Sequence, residues 1–390
     1  MRPTAPDPPS VSIIEPVGGH GGMDYYDMGL CLGLTKAGMP VTLYTCDESS
    51  FLPDAPFRVK QTYRRIFGNA PLWLRGSRYF LGTIRTFVDG LLSRSRIYHF
   101  HFFHVGPLEM MNILLAKVLR RKVVITAHDV ESFVSKLSVP VFVRLAYGMA
   151  DQIIAHNRVS KEELMAAIGI PGERITIIPH GNYFHAIDRI PGQSDARQRL
   201  GLPQDAKILL FFGHIKEVKG LDLLLRALPG VLKAHPNVLL LIAGKTWKID
   251  FSLYQEMISE LGIGDHCLIH GGFIPPEEAP FYFSAADLVV LPYRRIYQSG
   301  VLLMALSYGK AVLASDLEGM KEVITDGETG HLFSSGDADA LKNRLIEVLA
   351  DPAGLRLVAE RSQGRIREDH DWGIIGRKTA DCYRALLVKA

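Results

Sequence analysis

The chain has little cysteine, no long apolar run and almost no net charge, and each shortage removes a class of protein. Its four cysteines, Cys31, Cys46, Cys267 and Cys382, are scattered without CxxC spacing. They exclude a disulfide framework or a zinc ribbon and read as buried thiols. No segment offers the roughly 18 uninterrupted apolar residues of a membrane span, and the opening MRPTAPDPPS lacks the apolar core of a secretory signal. The expectation is a cytoplasmic protein with a frayed start. A formal charge of +3 and the absence of any nucleic-acid motif give no nucleic-acid partner. There is also no short tandem repeat.

What is present is ordinary for a soluble globular enzyme: 47% hydrophobic and 22% charged residues in a chain of 390. That length points to two domains. The charge is unevenly spread, because between Arg58 and Lys122 thirteen Lys and Arg face only Asp89 and Glu109. Tyr63, Phe67, Trp73, Tyr79, Phe80 and Phe87 are interleaved with them. This mixture in residues 58–122 suits an anionic membrane surface, where aromatic rings sit at the headgroups. An acidic or phosphorylated acceptor and a solvated basic face are the alternatives.

From Val11 the pattern reads strand (VSIIEPV), glycine loop (GGHGG), helix (Met23 to Lys36) and strand (VTLYT), a βαβ opening. Further strands are expected at IYHFHFF, KVVITAH, QIIAH and ITIIPH. After the polar stretch PGQSDARQRLGLPQDA a second series follows at KILLFFG, NVLLLIAG, CLIHGGF, DLVVLPY, AVLAS and GHLFS. Apolar runs of this kind, alternating with helices, form parallel sheets covered on both faces. The fold class expected is α/β, with two Rossmann-like doubly wound domains facing a central cleft. The boundaries are residues 1–190, residues 191–370 and a helix at 371–390 returning to the first domain.

Within the second series, Ser299 precedes the apolar segment Gly300 to Tyr308 that stops at Gly309. Ser299 is thus an N-cap just beyond a strand. The first-turn amides of Gly300, Val301 and Leu302, with the helix dipole, make an anion site of diphosphate size. An ordinary buried helix is the alternative. In LLFFGHIKEVKG, Lys219 stands beside Gly220 on a loop after a strand, where a point charge suits a departing diphosphate. His128 ends the strand of VVITAHDV, and clefts form at such ends. His99, His101 and His104 in IYHFHFFHVG lack the carboxylate or cysteine that would complete a metal set, so no metal is expected.

Taken in chain order, the loop EPVGGHGGMDYYD, VVITAHDV, LLFFGHIKEVKG, CLIHGGFIPPEEAP and AADLVVLPYRRIYQSGVLLMALSYGK resemble the family 4 glycosyltransferases of GT-B fold over residues 11 to 390. The resemblance implies that Gly21 and Gly22 approach the donor. It places His128 beside the anomeric carbon, and His214 and Lys219 at the diphosphate. Phe273 and Ile274 would hold the base, Ser299 to Leu302 would cradle the phosphates, and Glu322 would lie near the donor. Ile296 and Met304 stand where the family usually carries acids for sugar and ribose, leaving Arg294, Arg295, Tyr297 and Gln298 as loop residues that could meet the sugar. The implied activity is metal-independent, cofactor-free and retaining: transfer of a hexose from a nucleoside diphosphate sugar to a saccharide or lipid-linked acceptor in cell-surface polysaccharide or glycolipid synthesis. The setting would be the cytoplasm, peripheral at the inner membrane face. A non-catalytic partner protein of the same fold is the alternative. An NAD-linked oxidoreductase is a further one, though GGHGG does not fit GxGxxG.

Overall fold

The structure, a computed structural model, describes residues 10–19, 22–49, 54–102, 105–128 and 140–388, without the side chains of 102 and 140. The chain divides into two compact units, Met1–Gly181 with His370–Ala390, and Asn182–Asp369. The first begins β1 (Val11–Ile14), α1 (Met23–Lys36), β2 (Val41–Cys46), β3 (Arg58–Tyr63), α2 (Leu72–Leu92) and β4 (Ile97–Phe102). It continues with α3 (Pro107–Val118), β5 (Lys122–Ala127), α4 (Pro140–Met149), β6 (Gln152–Ala155), α5 (Arg158–Ile168) and β7 (Ile175–Ile177). Its seven strands run parallel in the order β3-β2-β1-β4-β5-β6-β7. Edge strand β3, of sequence RVKQTY, lies outside the strands expected above. Its charged residues hide the apolar pattern, and edge strands tolerate them because one side faces water.

The second unit comprises α6 (Gln193–Leu200), β8 (Lys207–Phe212), α7 (Leu221–Ala234), β9 (Val238–Gly244), α8 (Ser252–Glu260) and β10 (Cys267–Gly271). There follow α9 (Ala279–Ala285), β11 (Leu288–Leu291), α10 (Gly300–Ser307), β12 (Ala311–Ser315), α11 (Glu318–Lys321), β13 (His331–Phe333), α12 (Ala338–Ala350) and α13 (Pro352–Asp369). Its parallel sheet has the order β10-β9-β8-β11-β12-β13. Leu209, Phe211, Leu240, Ile242 and Val290 on the strands pack against Leu224 and Leu228 of α7.

The last helix, α14 (Trp372–Val388), belongs to the first unit and packs along α1. Trp372, Ile375 and Tyr383 join Val11, Ile13, Leu30 and Leu34 in one core. Close approach depends on glycine. A Cβ on Gly376 would lie 2.1 Å from the Gly33 carbonyl carbon, and one on Gly29 would lie 2.0 Å from the Trp372 ring.

All four cysteines are free. Cys31 and Cys46 are buried, and Cys267 and Cys382 only partly so. No helix among the described residues is long and apolar enough to cross a membrane.

Candidate active site

Each sheet reverses its connection order at one strand pair, β1 and β4 in the first unit and β8 and β11 in the second. Crossovers leave in opposite directions there, which opens a crevice at the strands' C-terminal ends. In each unit, described residues singled out in the sequence follow the ends of its own strands.

In the first unit β5 runs directly into His128, β6 into His156, and β7 reaches His180 three residues on. Tyr26 of α1 meets these rings edge-on, with centroids 4.5 Å from His128, 5.4 Å from His156, 5.0 Å from His180 and 5.2 Å from His101. Trp372 closes on Tyr26 at 5.2 Å. His99 of β4 bonds Tyr383 at 2.6 Å and Thr126 at 2.7 Å, while His101 bonds Asp27 of α1 at 2.9 Å. These two histidines tie the sheet to α14 and α1. Burial pushes the His101 pKa down to about 3 and raises that of Asp27, so both partners favour a neutral pair.

The proton positions around His128 follow from its neighbours. His156 Nδ1 lies 3.0 Å from the Ile178 carbonyl, which only accepts, so Nδ1 carries the proton. Burial lowers the pKa of His156 to about 4 and that of His128 well below its ordinary value, so both rings are neutral near neutrality. His156 Nε2 is then an acceptor, and its 3.3 Å contact with His128 Nδ1 puts a proton on that atom. His128 Nε2 therefore bears a lone pair. Sequence reasoning named His128 and missed Tyr26, His156 and His180. The available signal was three successive strand runs ending alike, ITAH, IIAH and IIPH.

The glycine loop is anchored by buried Glu15, whose carboxyl oxygens accept from the Val17 and Gly18 amides at 2.9 and 2.5 Å. Gly22, at φ 82, leads into α1. Gly21 and His104 lie outside the described residues.

In the second unit the loops after β8 and β11 converge. Gly213 follows β8 at φ 93, and a Cβ placed on it would lie 3.4 Å from Lys219 Nζ and 3.3 Å from Val301 Cγ2. The Lys219 ammonium and Val301, in the first turn of α10, thus both border Gly213, and the ammonium lies over the Tyr293 ring at 5.3 Å. Gly220, at φ 66, turns the chain into α7, and a Cβ there would fall 2.0 Å from the Pro292 carbonyl oxygen. Burial lowers the Lys219 pKa to about 8.

Ser299 caps α10, its Oγ accepting from the Leu302 amide at 3.1 Å. That bond corrects one expectation: Leu302 is already paired, leaving the amides of Gly300 and Val301, which have no intrahelical acceptor. His214 packs edge-on to Trp247 at 5.6 Å, and Lys216 lies over the same indole at 5.7 Å. The His214 pKa is lowered first by burial and then by Lys219, Lys216 and Lys245, a field that favours an anion.

Phe273 and Ile274 follow β10 beyond Gly272, with Phe273 exposed and Ile274 partly buried. Glu322 ends α11 after β12 and is exposed. Arg294 is held by Asp222 through bonds of 2.7 and 2.6 Å, and Arg295 donates to the Tyr297 hydroxyl at 2.6 Å. Among the described residues no group of three or more His, Cys, Asp or Glu side chains is arranged to hold a metal ion.

Two parallel-sheet α/β units with this topology define a GT-B fold, and solved structures agree. Anabaena Alr3699/HepE in complex with UDP superposes with a TM-score of 0.76 at 18% identity, covering 96% of this chain and all of that one. The model described as Glycosyl transferases group 1 matches residues 192–365, and Glycosyltransferase Family 4 matches residues 20–181. The chain belongs to the family 4, group 1 glycosyltransferases.

A lipopolysaccharide 1,2-N-acetylglucosaminetransferase of Salmonella typhimurium is 30% identical over 54% of this chain and 56% of its own length. A GDP-mannose-dependent alpha-(1-6)-phosphatidylinositol monomannoside mannosyltransferase of Mycolicibacterium smegmatis is 26% identical over 77% of this chain and 79% of its own. The match spans little more than half the length of the first curated relatives, 56% and 57%.

Proposed function

We propose that the protein transfers a hexose, with retention, from a nucleoside diphosphate sugar to a saccharide or lipid-linked acceptor in glycolipid or cell-surface polysaccharide synthesis. The observation carrying this is the meeting of Lys219 Nζ, the Gly213 backbone and the start of α10 at the switch point of the second sheet. A cation beside two helix N-terminal amides suits a leaving diphosphate, whose charge grows as the glycosidic bond breaks. Residues 191–370 would bind the nucleotide sugar, with Phe273 and Ile274 at the base and Glu322 near the donor. Residues 1–190 would take the acceptor, and the helix 371–390 would complete that first domain. His128 would face the donor sugar with its Nε2 lone pair, accepting from a hydroxyl and stabilising positive charge at the anomeric carbon.

The donors named for relatives, GDP-mannose in one and UDP-glucose in a HepE complex, support a nucleoside diphosphate sugar. The lipid and lipopolysaccharide acceptors named for others support a membrane-linked acceptor. The basic, aromatic region 58–122 would bring the enzyme to an anionic membrane surface, peripherally on the cytoplasmic side.

The test is a panel of uridine, guanosine and adenosine diphosphate sugars, read by release of free diphosphate. One donor should be hydrolysed, and Lys219→Ala should lower that rate by about 100-fold or more. Unchanged turnover in the variant would remove Lys219 from the phosphate role.

A further inference from the structure

Helix α2 carries its polarity the wrong way round for a helix on a soluble surface. Its buried side is formed by Tyr79, Gly82, Thr83, Thr86, Phe87 and Gly90, and it is held inward by polar bonds, Thr83 to Asn112 at 2.9 Å and Thr86 to Thr62 at 2.7 Å. Its outward side presents Trp73 at 75% exposure, Phe80 at 47%, Leu81 at 50%, Ile84 at 41% and Val88 at 51%. These positions recur at helical spacing, so they share one stripe. A water-facing helix normally reverses that arrangement, and a large exposed apolar patch marks an interaction surface.

The apolar surface continues sideways. α3 packs beside α2, and α4 beside α3. Between α3 and α4 lies an apolar recess of about 360 Å³ lined by residues including Met111, Leu114, Val118 and Phe142. Leu114, Val118, Val141 and Leu145 are themselves exposed around it.

We infer that the outward stripe of α2, with the flank of α3 and α4, is the surface that beds into an anionic lipid bilayer; this deepens the membrane part of the proposed function and rests on it. Charge selects the occupant. Residues 58–122, which include α2 and α3, hold thirteen cations against two acids, Asp89 and Glu109; of these, Lys117 and Lys122 pair with Asp151. Asp89, held by Lys60 and Tyr44, cancels one of these cations, and Glu109 accepts from the Gly106 amide at the start of α3, so the remaining arginines keep the segment strongly positive. On α2 itself Arg85 is exposed, while Arg75 and Arg78 are partly buried and donate to the Ile66 and Arg65 carbonyls at 2.7 and 3.0 Å, which leaves their charge in place near the helix start. A second copy of this chain would bring the same cations into apposition, whereas anionic headgroups neutralise them while acyl chains take the apolar side chains. The Trp73 indole, at the helix start, suits the headgroup boundary.

The experiment is co-sedimentation of the full chain with vesicles of phosphatidylcholine alone and of phosphatidylcholine with phosphatidylglycerol, followed also by tryptophan fluorescence. Binding should require the anionic lipid, weaken with salt and shift the emission to the blue, and Trp73→Phe should abolish the shift. The triple variant Trp73→Ser, Leu81→Ser, Val88→Ser changes only exposed positions and should lose at least about tenfold in partitioning, with its circular dichroism unchanged. Equal binding by the triple variant would overturn the inference. So would a dimer in solution that the same variant converts to monomer, which would give the face to a second copy. Nucleoside diphosphate binding, measured by calorimetry on the same samples, keeps the two readings apart: lost vesicle binding with intact nucleotide binding defeats only the docking face.

Discussion

At the level of single residues, two groups make chemistry depend on protons. Lys219, lowered by burial to about 8, borders Gly213 together with Val301 in the first turn of α10. It loses its proton as the pH rises through that value, so nucleoside diphosphate affinity should be level below pH 8 and fall by up to about tenfold per unit above it. Calorimetry across that range checks this, and Lys219→Arg, which keeps its charge, should remove the fall. His156 acts through another residue, by accepting from His128 Nδ1. His156→Phe should let the proton of His128 move to Nε2, visible as a changed nitrogen-15 pattern for that ring. Donor turnover should drop about tenfold or more with little change in donor affinity, as for other positioning contacts. A spectrum identical to that of the parent protein would refute the tautomer assignment.

At the level of elements, what was legible depended on whether neighbours or the local chain supplied the signal. The buried strands and the Ser299 cap could be read because their patterns are local: continuous apolar runs, and a serine before an apolar helix closed by glycine. Strand β3 could not, since an edge strand answers to its pairing with β2 more than to its own polarity. The histidine cluster was equally hidden, because residues 26, 99, 128, 156, 180 and 372 meet only once the sheet is assembled. The α1–α14 crossing is another long-range feature, resting on Gly33 and Gly376 in backbone contact. Gly376→Leu should cost about 3 kcal/mol or more through overpacking, lowering the melting temperature. Gly364→Ala on α13, where a Cβ meets nothing within 4 Å, should leave it unchanged or raise it.

For the molecule as a whole, the fold class and family followed from the order of local patterns, whereas acid sensitivity follows from what the fold buries. His99, His101, His128 and His156 all have lowered pKa values, chiefly from burial. In the unfolded chain they would titrate near the ordinary value of about 6.5. Between that value and the folded ones, about 3 for His101 and about 4 for His156, the unfolded state binds more protons. Their stabilising effect is therefore complete above the unfolded pKa and is lost as the pH falls. Glu15 and Asp27 work in the opposite sense, since burial raises their pKa values and the folded state keeps protons that the unfolded carboxylates release. Four histidines outweigh two carboxylates, so the first unit should lose about 2 kcal/mol or more of stability per pH unit between pH 6 and 5. Urea unfolding followed at several pH values measures that slope. His156→Gln should make it shallower by about 1.4 kcal/mol per unit, one proton's worth. A slope that the substitution leaves untouched would mean that His156 is already charged in the folded protein, and the neutral chain from Ile178 through His156 to His128 would fail with it.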